Sequence, residues 1–201
     1  MGVHRLVALA AAAQLALLAF CATTAAASDA CPDDLTRPTM ATAYAAAMSI
    51  VCDMNVYRAQ NGLRPLNWDW RLWSSAQGLA SDMAARSYAA HVTPEGRVLA
   101  DRVAPTGYIP SGGDWWLAEN LGWGTSYLST PLAIVLGWLD SPEHRENMLD
   151  PGLRDVGVGI AEGAISENGR SGIIYVADFG MRVEPVVTVR PRGRAHRARR
   201  R

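Results

Sequence analysis

Hydrophobic positions along the chain switch between an apolar run, helical spacing and strand spacing, and the switches divide it into elements. Residues 6–22 are almost wholly apolar, a run too short to favour a membrane span. Over 39–61, Tyr44, Met48, Val51, Cys52, Asn55 and Val56 recur at three- and four-residue spacing, which predicts a helix burying that face and stopped by Gly62. Pro65 disfavours helix at the residue before it, so 63–66 reads as an extended connector. A second helix is predicted over 69–88, with Asp69 as its cap and Leu72, Trp73, Ala76, Leu79, Ala80, Met83 and Ser87 along its buried stripe. It ends just before His91. A turn at 93–96 and a short helix over 97–103 follow, broken by Pro105 and Gly107. The next segment, 107–113, is turn-rich and expected to be mobile.

Residues 115–124 set Trp115, Trp116 and Trp123 around Glu119 and Asn120, polar groups that must find partners or be desolvated at a cost. Thr130 followed by Pro131 starts an apolar helix over 132–139 that is expected to be buried. That helix ends at Asp140 and another starts at once. Ser141 is its N-cap, with its oxygen expected on the backbone of His144, Pro142 is the first helical residue, and Glu143 and Glu146 favour the positive end of the dipole. Val156, Val158 and Ile160 alternate with Gly157 and Gly159, which reads as a strand with one face close to another backbone. A hairpin-type turn at 167–170 leads to a strand over 173–179, apolar on both faces and therefore central.

The chain has 201 residues, 49% of them apolar, which predicts one domain with an ample core. His4 and Arg5 before the apolar run, and Ala25, Ala26 and Ala27 after it, predict a secretory signal peptide over 1–27. Cys21 raises a lipoprotein alternative, which the bulky Phe20 disfavours where a lipobox has a small residue. Cleavage leaves Cys31 and Cys52 in an oxidising space, where pairing is expected and two free thiols are the alternative. A bridge would close a loop of about 20 residues and contribute roughly 3 kcal/mol.

The formal net charge of zero is a cancellation. Residues 28–189 carry 11 arginines and 19 acids, whereas 190–201 carry seven arginines and no acid. The division is then a leader over 28–38, a domain over 39–184 and a disordered Arg-rich tail over 185–201. The tail reads as solvated chain, or as a contact for anionic polymer such as phosphate-bearing wall glycopolymers. It has no aromatic residue, so base stacking and specific nucleic-acid binding are not expected.

Asn55-Val56-Tyr57-Arg58, His91, Ala118-Glu119-Asn120-Leu121, Gly137-Trp138, the 141–149 stretch, Val156-Gly157-Val158-Gly159 and Tyr175-Val176-Ala177-Asp178-Phe179-Gly180 occur in an order that resembles the CAP superfamily (cysteine-rich secretory proteins, antigen 5, pathogenesis-related 1) in its bacterial SCP-domain form. The resemblance covers about residues 44–182. It implies an α+β fold, a three-layer α-β-α sandwich around a small, mainly antiparallel sheet, with a cleft lined by two His and two Glu. Carried over, His91 and His144 stand at the His positions and Glu119 at the first Glu. The second Glu, three residues after the helix Trp in animal and plant members, falls here on Ser141.

The cleft residues are thus His91, Glu119, Ser141 and His144. His91, Glu119 and His144 make up the ligand set of catalytic zinc or another divalent cation, though no local spacing vouches for it. Without an ion, Glu119 would orient the histidines in a hydrogen-bonded polar cleft. Ser141 as a nucleophile lacks a strand-to-helix elbow. Trp68, Trp70, Trp73 and Trp138 are expected in the core, with Trp115 and Trp116 available as a lipid- or glycan-stacking surface. The reading is a secreted protein, not integral to a membrane, that binds a small or polymeric ligand, a lipid or envelope polymer, in this cleft. A metal-dependent extracellular hydrolase, peptidase or esterase, is the alternative.

Overall fold

The structure, a computed structural model, describes residues 31–166 and 169–183. In chain order it contains α1 (Ala43–Gln60), β1 (Asn67–Trp68), α2 (Trp70–Arg86), α3 (Leu99–Val103), β2 (Trp115–Gly124), α4 (Pro131–Asp140), α5 (Pro142–Leu149), β3 (Asp155–Gly163) and β4 (Gly172–Arg182). The expected signal peptide, the Arg-rich tail, and Glu167 and Asn168 of the expected hairpin turn lie outside the described residues. Among the described residues, no helix is long and apolar enough to cross a membrane.

The alternation of β3 decides which helix covers which face. Val156, Val158 and Ile160 point to one side, where they meet Tyr175, Ala177 and Phe179 of β4 and Ile50, Met54, Ile134, Val135, Trp138 and Met148 from α1, α4 and α5. On the other side the glycines admit the backbone of α2 itself. A Cβ at Gly157 would lie 1.9 Å from the Trp73 nitrogen, and one at Gly159 2.3 Å from that of Gln77. Ala76, Leu79, Ala80 and Met83 then pack on Ala161, Ile174 and Val176. Helices on both faces of the sheet make the expected α-β-α sandwich.

The sheet order is β1-β3-β4-β2, with β1 parallel to β3 and the other two pairs antiparallel. β4 is central, as its two apolar faces predict. β1 pairs with β3 only at Asp155 and Val156. Further along, the Gln77 side chain satisfies the edge: its Nε2 donates to the Ile160 carbonyl at 2.8 Å, and its Oε1 accepts from the Ile160 N–H at 3.0 Å. The opposite edge is β2, the strand carrying Glu119.

The face of α1 differs from expectation. Tyr44 and Met48 are exposed, while Ala46, Ala47, Ile50, Val51, Asp53, Met54 and Arg58 are buried. Apolar residues surround this helix, so spacing alone does not select a face. What fixes it is Arg58, wholly buried and donating to the carbonyls of Arg64 at 2.9 Å, Met148 at 2.7 Å and Asp150 at 3.1 Å. Orphan carbonyls at the end of α5 are thereby satisfied, and α5 is tied to α1. Cys31 and Cys52 are disulfide-bonded, as expected, with Cα atoms 5.7 Å apart. The leader is further held where the Leu132 N–H donates to the Asp34 carbonyl at 2.9 Å.

Three other expectations are corrected. Trp70 and Trp73 are exposed rather than core: α2 offers its backbone, not the Trp73 ring, to Gly157, and Trp70 opens the helix at its outer end. α4 is covered on one face only, since Leu136 is exposed. The 107–113 segment is anchored by Tyr108, wholly buried, whose hydroxyl donates to Asp155 Oδ2 at 2.8 Å. Guanidinium carbons of Arg71 and Arg182 lie 5.4 Å and 5.2 Å from its ring centre.

Candidate functional site

His91, Glu119 and His144 come from a loop, an edge strand and a short helix. Glu119 lies on β2 directly opposite Asp178 of β4, so both carboxyls project from the same face of the sheet, toward α2. His91 follows the end of α2, where Ser87 turns the chain with φ 53°. α5 crosses beside β2: the Asn120 Nδ2 donates to the His144 carbonyl at 2.9 Å, and the Asn147 Nδ2 to Asn120 Oδ1 at 2.9 Å and the Glu119 carbonyl at 3.3 Å. Two asparagines therefore fasten the His144 helix to the Glu119 strand.

The Glu119 side chain is 3% exposed and both its oxygens are engaged. Oε1 accepts from His91 Nδ1 at 2.8 Å, and Oε2 accepts from the Arg102 guanidinium, itself only 6% exposed. A carboxylate cannot donate, so the His91 proton sits on Nδ1. Arg102 also donates to the His91 carbonyl at 2.8 Å, holding ring and backbone of that residue from below. The hydrogen bond to Glu119 raises the His91 pKa against the opposing effect of burial. The His91 side chain is nonetheless 56% exposed, and its Nε2 makes no hydrogen bond among the described residues.

His144 is pushed the other way. Burial lowers its pKa first and the charge on His91 second, with Glu143 opposing both. Ser141 is the N-cap by position, but its hydroxyl makes no cap bond; Oγ meets His144 Nδ1 at 2.9 Å. The expectation that Ser141 bonds the backbone is thus corrected: its side chain orients the imidazole instead. Glu143, which the sequence sets about 100° from His144 around the helix, still acts electrostatically on both histidines. A second carboxylate is therefore felt at the site although Ser141 fills its expected position.

Asp178 lies beneath, wholly buried. Burial and then the Glu119 charge push its carboxyl well above the usual carboxylate range. Neither oxygen has a hydrogen bond of good geometry, although Ser75 and Glu119 stand close enough to act on its titration. Arg102 and Asp178 were not singled out from the sequence. The available signals were an acid inside an otherwise apolar central strand and an arginine between the apolar residues of a short helix.

These donors do not fit a divalent cation. Both Glu119 oxygens are taken, one by a guanidinium that would repel a metal. Among the described residues no group of three His, Cys, Asp or Glu side chains comes together as a ligand set. Trp115 and Trp116 are exposed and, with Val98 and Leu99, line a shallow groove of about 260 Å³.

Fold and site together define an α-β-α domain, and comparison with known proteins gives its family. Residues 53–179 match the model of the cysteine-rich secretory protein (CAP) family, and the chain belongs to that family. It is 32% identical over 127 residues to the uncharacterized protein YkwD of Bacillus subtilis, covering 62% of this chain and 43% of that one. It is also 32% identical over 115 residues to the Bacillus subtilis membrane protein YlbC, covering 57% and 31%. The chain thus spans less than half the length of the curated relatives it matches. The crystal structure of an extracellular SCP-domain protein from Bacillus anthracis superposes with a TM-score of 0.56 at 25% identity, covering 71% of this chain and 43% of that one. An outer surface protein of Borrelia burgdorferi shares the fold with a TM-score of 0.51 at 21% identity, covering 65% and 88%.

Proposed function

We propose that this is an extracellular protein that recognises a small polar or polymeric ligand of the cell envelope in the cleft between His91 and His144. The observation that carries the reading is the Glu119 carboxylate, fully engaged by Arg102 and His91. That arrangement presents an exposed imidazole from a rigid, pre-ordered base, which lowers the cost of ordering on binding. With His91 raised and His144 lowered, a charged imidazole donor and a neutral imidazole acceptor coexist between their two pKa values, and Glu143 adds a further acceptor. The extracellular location is supported by the signal-like residues 1–27, by the disulfide, and by the description of the Bacillus anthracis protein.

A metal-dependent hydrolase finds no support in the donor set, since Glu119 is committed to internal partners. The test is co-sedimentation of the purified chain with isolated cell-wall material and with lipid vesicles, alongside assays on peptide and ester pools. Retention lost on His91→Ala and His144→Ala, with no turnover, is the expected outcome. Turnover that His144→Ala abolishes would favour the enzyme instead.

A further inference from the structure

A second groove, of about 590 Å³, runs between α2 and the 93–106 segment, and none of His91, Glu119, Ser141 and His144 lines it. Its size falls within the roughly 300–1,000 Å³ of small-ligand clefts. Ser75, Leu79, Thr93 and Arg102 are its buried lining. The Arg102 Nε is buried without a hydrogen-bond partner, the condition that calls for an explanation in a folded protein, while the Ser75 hydroxyl stands beside Asp178. Trp70 lines the groove while 63% exposed. Arg86 spans from α2 to the 93–96 turn, bonding both oxygens of Glu95 and also Asp82.

The charges lining this groove cancel. Asp82 and Glu95 balance Arg86 and Arg97, and Arg102 is balanced by Glu119 from behind. A polyanion therefore meets no net field, and the polar lining does not suit an acyl chain. What remains is one exposed aromatic face beside a row of fixed donors and acceptors. We infer that this groove binds a neutral saccharide, with Trp70 stacked on the C–H face of a sugar ring and Arg97 and the Asp82–Arg86–Glu95 network hydrogen-bonding its hydroxyls. Tryptophan suits this because it presents a wide apolar face with a polar tip. The site is separate from the histidine cleft and does not rest on its reading, but Arg102 touches both.

The test is isothermal titration of the purified chain with chitotetraose and cellotetraose, with oligogalacturonate as the anionic comparison. Saturable binding of a neutral tetrasaccharide, at least tenfold weaker in Trp70→Ala, partly restored in Trp70→Phe and unchanged in Trp116→Ala, is the expected result. Trp70 and Trp116 are both exposed, so these variants keep the fold, and circular dichroism checks it. The inference is overturned if neither neutral sugar binds, if Trp70→Ala binds as tightly as the parent, or if oligogalacturonate binds more tightly than both.

Discussion

Glu119 and Asp178 stand directly opposite each other on β2 and β4, two carboxyls at neighbouring positions in a buried part of the sheet. Arg102 neutralises the first, while burial and the charge on Glu119 drive the second toward its protonated form. Glu119→Gln removes the counter-charge of a buried guanidinium and should destabilise the fold by about 3–5 kcal/mol. Asp178→Asn keeps the shape of a neutral carboxyl and should stay within about 1 kcal/mol of the parent. Urea unfolding measures both; the reverse ranking would contradict the assignment.

Ser141 caps α5 by position only, because its hydroxyl is spent on the His144 ring. Ser141→Ala should therefore cost well under the ~1 kcal/mol of a bonded N-cap. Its effect should appear instead in the His144 nitrogen shifts, as the ring loses its fixed orientation. A full cap penalty in thermal unfolding with unchanged ring shifts would contradict the assignment.

Asp53 is wholly buried, and burial followed by the nearby Asp34 raises its pKa to about 7. The folded state then holds a proton that the unfolded chain releases near pH 4. The sign follows from linkage: the stabilisation is fully present below about pH 4 and is lost as pH rises to about 7. Asp53→Asn should flatten that part of the stability-against-pH curve and leave the variant more stable than the parent at alkaline pH. Parallel curves for the two proteins would refute it.

Gly157 and Gly137 make an internal contrast. A Cβ at Gly157 meets the α2 backbone at 1.9 Å, whereas one at Gly137, on α4, meets nothing within 4 Å. Gly157→Ala should separate α2 from the sheet and cost several kcal/mol, at or above the roughly 1–3 kcal/mol of ordinary overpacking. Gly137→Ala should stabilise by about 1 kcal/mol through helix propensity. Thermal unfolding of the two single variants decides.

The alternation of β3, the restart at Ser141 and Pro142, and the apolar 173–179 run were readable because each is a local pattern with one structural solution. The exposed side of α1 was not, since apolar residues encircle it and the deciding contacts of Arg58 reach carbonyls some 90 positions on. β2 was not recognised as a strand either, because its tryptophans and Glu119 mask the alternation. His91, Glu119 and His144 were identified through the resemblance and the ordered motifs. What spacing could not convey is that the Glu119 oxygens are shared between Arg102 and His91, which is a fact of three segments meeting.

That sharing is the centre of the account, and the ring resonances of His91 and His144, followed against pH with and without added zinc, test it most directly. Paired with Glu119, His91 should titrate above the ordinary value of about 6.5, and His144, partly buried, below it. By the same linkage, the stabilisation from charged His91 is present below about pH 6.5 and lost above its raised folded value. His144 costs stability as pH falls through its lowered one. Equimolar zinc should leave both curves in place, and Glu119→Gln should lower that of His91. Stoichiometric displacement of both resonances by zinc, or titration in the opposite order, would contradict the account.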